Sequence, residues 1–229
     1  EESVKQGLID LISKQKQAVA VTTFASNVAR VKSIIDAAEM AGRSVCLVGR
    51  SMHRITDAAK AVRWTLDNIA GSREDRRAVF LAGHSAGAHI AALMTVDAQY
   101  FRQAGVSAEQ VCGVIGIAGP YAFDPQEYRS TRAVFAGLAD NDIARPVKRI
   151  SGKSPPFLLL HGDADGTVRP SNTAAFAAAL RATGTEVQSE LLPEIGHYRI
   201  VMAMATPFDD IAPVNRRIAD FIESRKDCR

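Results

Sequence analysis

The chain has 229 residues, with 28 basic and 25 acidic side chains and a formal net charge of +3. This balance, with 47% hydrophobic and 23% charged residues, is typical of a globular protein. It gives no reason to expect a nucleic acid or a membrane surface as partner. At this length we expect a single domain over residues 1–229, whose core is large enough to need no disulfide or metal for stability.

The cysteine content is low and odd: Cys46, Cys112 and Cys228 form no Cys-X-X-Cys pair. Such a count is typical of a reducing compartment, in which Cys46 and Cys112 act as small core residues. No apolar run reaches the roughly 18–20 residues that cross a bilayer, and no signal peptide precedes the first predicted helix. We therefore expect a cytoplasmic protein.

Short β-branched runs alternate with amphipathic segments along the chain. In order, the pattern predicts a helix at 3–15, a strand at 18–23, a helix at 27–42, a strand at 44–49, a helix at 56–71, a strand at 78–82, a helix at 86–97, strands at 111–117 and 156–161, a helix at 171–184, a strand at 187–192 and a helix at 213–224. This alternation predicts a three-layer αβα fold with a mostly parallel six-stranded sheet. Catalytic groups of such sheets lie beyond the carboxyl ends of the strands, where the irregular stretch 119–155 is a candidate cap.

The pentapeptide GHSAG at 83–87 follows one predicted strand and opens the next helix, which is the required setting of a Gly-X-Ser-X-Gly motif. A reversal this sharp strains the backbone of Ser85 and exposes its hydroxyl. The amide of Ala86 and the helix N-terminus then point at a developing oxyanion. The motif predicts a nucleophilic serine, and an ordinary turn between strand and helix is the alternative.

A nucleophilic serine needs a base, and the base needs an acid that orients it. In the chain order of hydrolases the acid follows a later strand, and the histidine comes last. One predicted strand runs into Asp163 and Asp165, which are two candidate acids. His197 follows the last predicted strand and is the candidate base. His161 closes a strand, which favours a supporting role, and His84 lies within the pentapeptide.

From about residue 56 to the C-terminus the sequence resembles the α/β-hydrolase superfamily, and within it small bacterial carboxylesterases and kynurenine-formamidase-like enzymes. The resemblance lies in the segments DAAKAVRWTLDNI, GHSAGAHIAALM, GIAGPYAFDP, PPFLLLHGDADGTVRPSNT and LLPEIGHYRIV. The family pattern His-Gly-X-X-Asp-X-X-Val places the acid on Asp165 and leaves Asp163 as a loop cap. The resemblance thus implies a triad of Ser85, Asp165 and His197, without metal or organic cofactor.

The first 55 residues instead resemble the β-CASP region of bacterial ribonuclease J. The similarity lies in the helix VKQGLIDLI and in VAVTTFASNVARVKSIIDAAEMAGRSVCLVGRSMHRI. The metal-binding motif of that family, His-X-His-X-Asp-His, does not occur, which favours a scaffold role for the segment. We infer a chimera in which a βαβ segment replaces part of a hydrolase, including its N-terminal antiparallel hairpin. The strand order would then be flavodoxin-like, 2-1-3-4-5-6.

The replacement of the first 55 residues matters for catalysis. In the hydrolase family, the corresponding segment carries a His-Gly-Gly loop that supplies the second amide of the oxyanion hole. This chain lacks that loop, so the second donor would have to come from Phe24 or Ala25. Losing one donor typically lowers turnover by a factor on the order of 10²–10³. We therefore expect a weakened enzyme.

The predicted function is a serine hydrolase of carboxylesterase type that acts on small esters or arylformamides. His84, Tyr121 and Phe123 are candidates for lining the substrate pocket, and the two aromatic residues are equally good packing residues. The alternative is a catalytically inactive, engineered chimeric scaffold built by fragment recombination. RNA binding through the β-CASP-like segment is a third reading, which a net charge of +3 does not favour. The expected partner is a small ester or amide, and the expected state is a monomer or homodimer.

Overall fold

A computed structural model describes residues 53–70, 78–127, 140–225 and 227–228, and the single positions 6, 9, 13, 37, 38, 40 and 41. The chain divides into two compact units, Glu1–Arg50 and Ser51–Arg229. The boundary between them lies close to residue 55, where the sequence changes its resemblance. The single domain over the whole chain stays a prediction.

In the first unit, six of the described positions (6, 9, 13, 37, 38 and 40) are helical. They agree with the helices predicted at 3–15 and 27–42. The strands predicted at 18–23 and 44–49 lie outside the described residues.

The second unit is built on a parallel sheet of four strands, β1 (Phe80–His84), β2 (Gly113–Ile117), β3 (Phe157–Gly162) and β4 (Val187–Leu192). The strands lie side by side in chain order, each parallel to the next. Every residue of β2 and β3 is buried. This burial explains why both strands appear in the sequence as unbroken apolar runs.

The sheet holds four strands in the described part of the chain and not the six that were predicted, because the other two predicted strands lie outside the described residues. A side-chain pattern identifies a strand, but membership of a sheet requires hydrogen bonds to a neighbouring strand, which the pattern does not specify. The order of the four described strands agrees with the last four places of the predicted order 2-1-3-4-5-6. The positions of the strands at 18–23 and 44–49 in this order stay a prediction.

Helices connect and cover the strands. They are α1 (His53–Asn68), α2 (Ala86–Val96), α3 (Ala98–Gln103), α4 (Ser171–Ala182), α5 (Arg199–Met202) and α6 (Val214–Glu223), with 3₁₀ turns at Ala108–Gln110, Asn141–Ala144 and Pro146–Lys148. The sequence pattern predicts neither α3 nor α5, because helices this short do not show a clear period. The other four lie where helices are predicted.

Two apolar clusters fill the two faces of the sheet. Val114 of β2 lies in the cluster that α1, α2 and α4 cover. Its neighbour Ile115 lies in the other cluster, which includes Ile200 of α5 and Phe221 of α6. Since successive residues of a strand point to opposite faces, this division shows helices on both sides of the sheet, as the three-layer prediction requires.

The described parts of the stretch 119–155 form hydrogen bonds with helices α2 and α4. The Ala122 N–H donates to Asn172 Oδ1 at 2.9 Å, and His89 Nε2–H donates to the Ala144 carbonyl at 2.6 Å. Residues 128–139 lie outside the described residues, so the cap over the sheet edge stays a prediction.

A disulfide joins Cys112, which precedes β2, to Cys228 in the C-terminal tail, with 5.6 Å between their Cα atoms. The expectation that Cys112 acts only as a small core residue is therefore wrong, while Cys46 lies outside the described residues. The two residues are 116 positions apart and meet because α6 packs on the sheet, where the Phe221 ring occupies the space beside Gly113. The cysteine count thus no longer favours a reducing compartment, and the cytoplasmic location stays a prediction.

None of the described helices has the length and apolarity that crossing a bilayer requires.

We expect the substitution Cys228→Ser to lower the stability of the oxidised protein by an amount on the order of 2–5 kcal/mol, because the disulfide closes a long loop in the unfolded chain. Urea unfolding of both proteins, with and without dithiothreitol, measures the change. Reductant should lower the midpoint of the wild type and leave that of the variant unchanged. Equal midpoints for the two oxidised proteins would contradict the prediction.

Candidate active site

Ser85 lies in a tight turn between β1 and α2. Its backbone angles, φ 55° and ψ −120°, are a conformation that side chains rarely adopt outside strained functional turns. Its N–H donates to the Ile117 carbonyl at 2.9 Å, and its own carbonyl accepts from the His89 N–H at 3.0 Å. The neighbouring strand and the first turn of α2 therefore hold this residue from both sides.

Gly83 makes the turn possible by its lack of a side chain. A Cβ at this position would lie 2.3 Å from the carbonyl carbon of Gly87 and 2.6 Å from the Ala88 nitrogen. These are backbone atoms, which cannot move aside without breaking the turn. A Cβ on Gly87 would meet no atom within 4 Å among the described residues, so the close approach explains the first glycine of the motif and not the second.

Asp165 lies in the loop after β3 and is 5% exposed. Its Oδ1 accepts the N–H groups of Thr167 and Val168, each at 2.9 Å, and its Oδ2 accepts from His197 Nδ1 at 2.7 Å. Burial alone would raise the pKa of Asp165, but the hydrogen bonds from Val168, His197 and Thr167 outweigh it and hold the pKa below its usual value. The side chain is therefore a carboxylate at neutral pH.

His161, in β3, supports the loop that carries Asp165. Its Nε2–H donates to the Val168 carbonyl at 2.9 Å, and its Nδ1 lies 2.6 Å from the Thr173 hydroxyl, which then donates to it. Burial lowers the pKa of His161, so the ring is neutral although its Nε2 lies 3.2 Å from Asp165 Oδ2. These contacts agree with the supporting role that its position in the sequence favours.

His197 follows β4 and joins the other two side chains. Its Nδ1 faces Asp165, and its Nε2 lies 2.9 Å from Ser85 Oγ. A carboxylate oxygen only accepts hydrogen bonds, so Nδ1 carries the proton and Nε2 presents its lone pair to the serine hydroxyl. The geometry allows His197 to take a proton from Ser85 while Asp165 stabilises the resulting imidazolium.

The loops that carry the acid and the base are packed against each other. A Cβ on Gly162, the last residue of β3, would lie 1.9 Å from the Ile195 carbonyl oxygen. Asp163 Oδ1 accepts the Glu194 N–H at 2.6 Å, which is the loop-capping role that the family pattern implies for it. These contacts fix the distance between Asp165 and the segment before the base.

The other predicted site residues lie as follows. Ala86 begins α2, and its N–H has no acceptor within the helix, because the first four amides of a helix never do. Phe24 and Ala25 lie outside the described residues. Tyr121 is fully buried and stacks on Phe176 with 4.6 Å between ring centroids. The rings of Phe123 and His89 form a T-shaped pair with 5.9 Å between their centroids. Both contacts are ones that packing residues make, and the roles of Tyr121 and Phe123 in lining a substrate pocket stay predictions.

His84 lies beside the base, and its predicted role in lining the substrate pocket stays a prediction. Its Nε2 is 3.0 Å from the His197 carbonyl oxygen, and the centroids of the two rings are 4.7 Å apart. Burial, and after it the charge of His197, lower the pKa of His84. Within the described residues, no group of three or more histidine, cysteine and acidic side chains could hold a metal ion.

Comparison with known proteins gives the family. The model of the BD-FAE family matches residues 50–180, which is more than half of the chain. The chain belongs to the BD-FAE family of α/β-hydrolase esterases. The esterase LipC of Mycobacterium tuberculosis is 30% identical over 164 residues, which cover 62% of this chain and 40% of LipC. The chain therefore spans less than half the length of this relative.

A second and shorter similarity is to a ribonuclease. Ribonuclease J of Sinorhizobium meliloti is 45% identical over 62 residues, which are 27% of this chain and 11% of that protein. Among solved structures, the apo form of Thermogutta terrifontis esterase 2 superposes with a TM-score of 0.54 at 19% identity. It covers 74% of this chain and 61% of the esterase, and shows the shared fold.

Sequence reasoning missed two features of the site. The N–H groups of Thr167 and Val168 bind Asp165, and an aspartate followed by Gly-Thr is a signal for such a local turn. The contact between His84 and the His197 carbonyl joins residues 113 positions apart and leaves no local signal.

We expect Gly83→Ala to destabilise the protein by about 2 kcal/mol or more, because its methyl group overlaps backbone atoms at a strained turn. Gly87→Ala is the matched control. It adds the same methyl group four residues later, where no described atom stands in its way, and should gain up to about 1 kcal/mol of helix propensity. Urea unfolding measures both, and equal effects would contradict the prediction.

We expect Asp165 to stabilise the folded state above its unfolded-state pKa of about 3.9. Because the folded-state pKa is lower, this contribution is complete above about pH 5 and is lost as the pH falls through the folded-state value. Asp165→Asn should therefore be less stable than the wild type at neutral pH, and the difference should shrink in acid. Urea midpoints at about pH 7 and about pH 3 measure the two differences. A difference that grows in acid would contradict the prediction.

Proposed function

We propose that this BD-FAE member is a serine carboxylesterase that acts on small esters or arylformamides. The observation that carries the proposal is the unbroken hydrogen-bonded line from Asp165 through His197 to Ser85, with distances of 2.7 and 2.9 Å. The similarity to LipC supports the same class of reaction.

In the proposed mechanism Ser85 Oγ attacks the carbonyl carbon of the substrate, and His197 Nε2 takes the hydroxyl proton. Asp165 keeps the ring in the tautomer that this requires and stabilises its positive charge. His197 then gives the proton to the departing alcohol or amine, which leaves the acyl group on Ser85. A water molecule, activated by the same histidine, hydrolyses the acyl-enzyme.

The negative charge that develops on the carbonyl oxygen needs hydrogen-bond donors. We assign the Ala86 N–H as one donor, because it lies at the N-terminus of α2 next to the nucleophile. The second donor, assigned to Phe24 or Ala25, rests on the resemblance alone. If that donor is absent, we expect turnover on the order of 10²–10³ below that of a complete oxyanion hole.

The experiment compares the wild type with Ser85→Ala, using p-nitrophenyl acetate as the ester. We expect the wild type to release nitrophenol and the variant to show only the background rate, because the variant has no nucleophile. A formylated aniline in a parallel assay distinguishes arylformamidase activity from esterase activity.

Labelling with an organophosphorus ester gives a readout that does not depend on turnover. We expect one phosphoryl group on Ser85, detected by mass spectrometry of the peptide, and none in the Ser85→Ala variant. Equal hydrolysis by both proteins together with an unlabelled Ser85 would overturn the proposal.

A second candidate is an inactive chimeric scaffold, in which a segment of ribonuclease J type was joined to part of a hydrolase by recombination. The partial similarity to ribonuclease J over 62 residues favours it. It predicts a folded protein whose Ser85 does not react, so the labelling experiment separates the two candidates.

A further inference from the structure

His84 contacts the base from the residue directly before the nucleophile. Its Nε2 lies 3.0 Å from the carbonyl oxygen of His197. A carbonyl oxygen only accepts hydrogen bonds, so the proton of the neutral His84 ring must be on Nε2. The two rings also pack at a tilt of 44°, with 4.7 Å between their centroids.

Two adjacent residues of the turn therefore bind the same histidine in two places. Ser85 Oγ meets the side chain of His197 at Nε2, while His84 binds its main chain. The loop after β4, which carries His197, makes other hydrogen bonds through the residues before the base. The Glu194 N–H donates to Asp163, and the Ile195 carbonyl accepts from the Ala164 N–H. Both hydrogen bonds connect to the loop after β3, which carries Asp165, and not to the turn that carries Ser85.

We propose that His84 is a positioning residue, whose Nε2–H bond to the His197 carbonyl holds the base at proton-transfer distance from Ser85. This inference rests on the proposed serine hydrolase function. Without the bond, Asp165 would still orient the ring of His197, but the main chain of the base would no longer be fastened to the turn that carries the nucleophile.

A histidine suits this position because it donates a hydrogen bond without carrying a charge. Among the described residues, the titratable groups that act on it are His197, Asp165 and His161. Burial and the neighbouring His197 both lower the pKa of His84, so a neutral ring faces the imidazolium that forms during catalysis. A lysine or arginine at this position would repel that imidazolium.

The test uses two variants, each of which keeps one property of the histidine and removes another. His84→Phe keeps an aromatic ring against His197 and removes the donor, whereas His84→Gln keeps an N–H donor and removes the ring. We expect His84→Phe to lower kcat about five- to tenfold, the factor that corresponds to one lost hydrogen bond, with KM nearly unchanged. His84→Gln should restore most of the loss. Similar kcat values in the wild type and His84→Phe would overturn the inference.

A second measurement does not depend on hydrolysis. In nitrogen-15 spectra of the wild type, His84 should carry its proton on Nε2 at neutral pH. The low-field proton of His197 Nδ1 should be present in the wild type and in His84→Gln, and weakened or broadened in His84→Phe because the base is less well held. A His84 ring protonated on Nδ1 alone, or an unchanged signal in His84→Phe, would overturn the inference.

The two measurements keep this inference separate from the proposed function. A wild type without hydrolysis that depends on Ser85 would overturn the function, while the spectra would still decide whether His84 holds His197. An active wild type with unchanged kcat and spectra in His84→Phe would overturn the inference alone.

Discussion

The candidate site depends on three loops that meet at one edge of a parallel sheet. The strands β1, β3 and β4 run in the same direction, so their carboxyl ends and the loops that follow them lie together. Two close backbone approaches then set the distances: the turn around Gly83 on α2, and the contact of Gly162 with the Ile195 carbonyl. Larger side chains at either glycine would displace the loops that carry Ser85 and His197.

The buried charge at this edge is kept small and fully paired. Asp165 is the carboxylate of the site, and both of its oxygens accept hydrogen bonds. The neighbouring rings of His161 and His84 are held neutral by burial and donate to carbonyl oxygens. An unpaired buried charge is costly, so these hydrogen bonds allow Asp165 to stay a carboxylate at a buried position.

The chain combines a hydrolase segment with a shorter similarity to ribonuclease J. The residues that make the proposed triad all lie in the unit Ser51–Arg229, whereas Phe24 and Ala25, to which the second oxyanion donor is assigned, lie in the other unit. The three residues of the proposed triad therefore all come from the part of the chain that carries the hydrolase similarity.

The sequence by itself determined the features that local physics encodes. Every end of the four described strands lies within two residues of its predicted position, and GHSAG marked the turn of Ser85, because apolar periodicity and glycine spacing act over a few residues. Only the tertiary structure decided which strands share the sheet, that Cys112 pairs with Cys228, and that His84 binds the His197 carbonyl. These contacts join residues more than a hundred positions apart or depend on strand partners, and a distant contact leaves no pattern in the neighbouring residues.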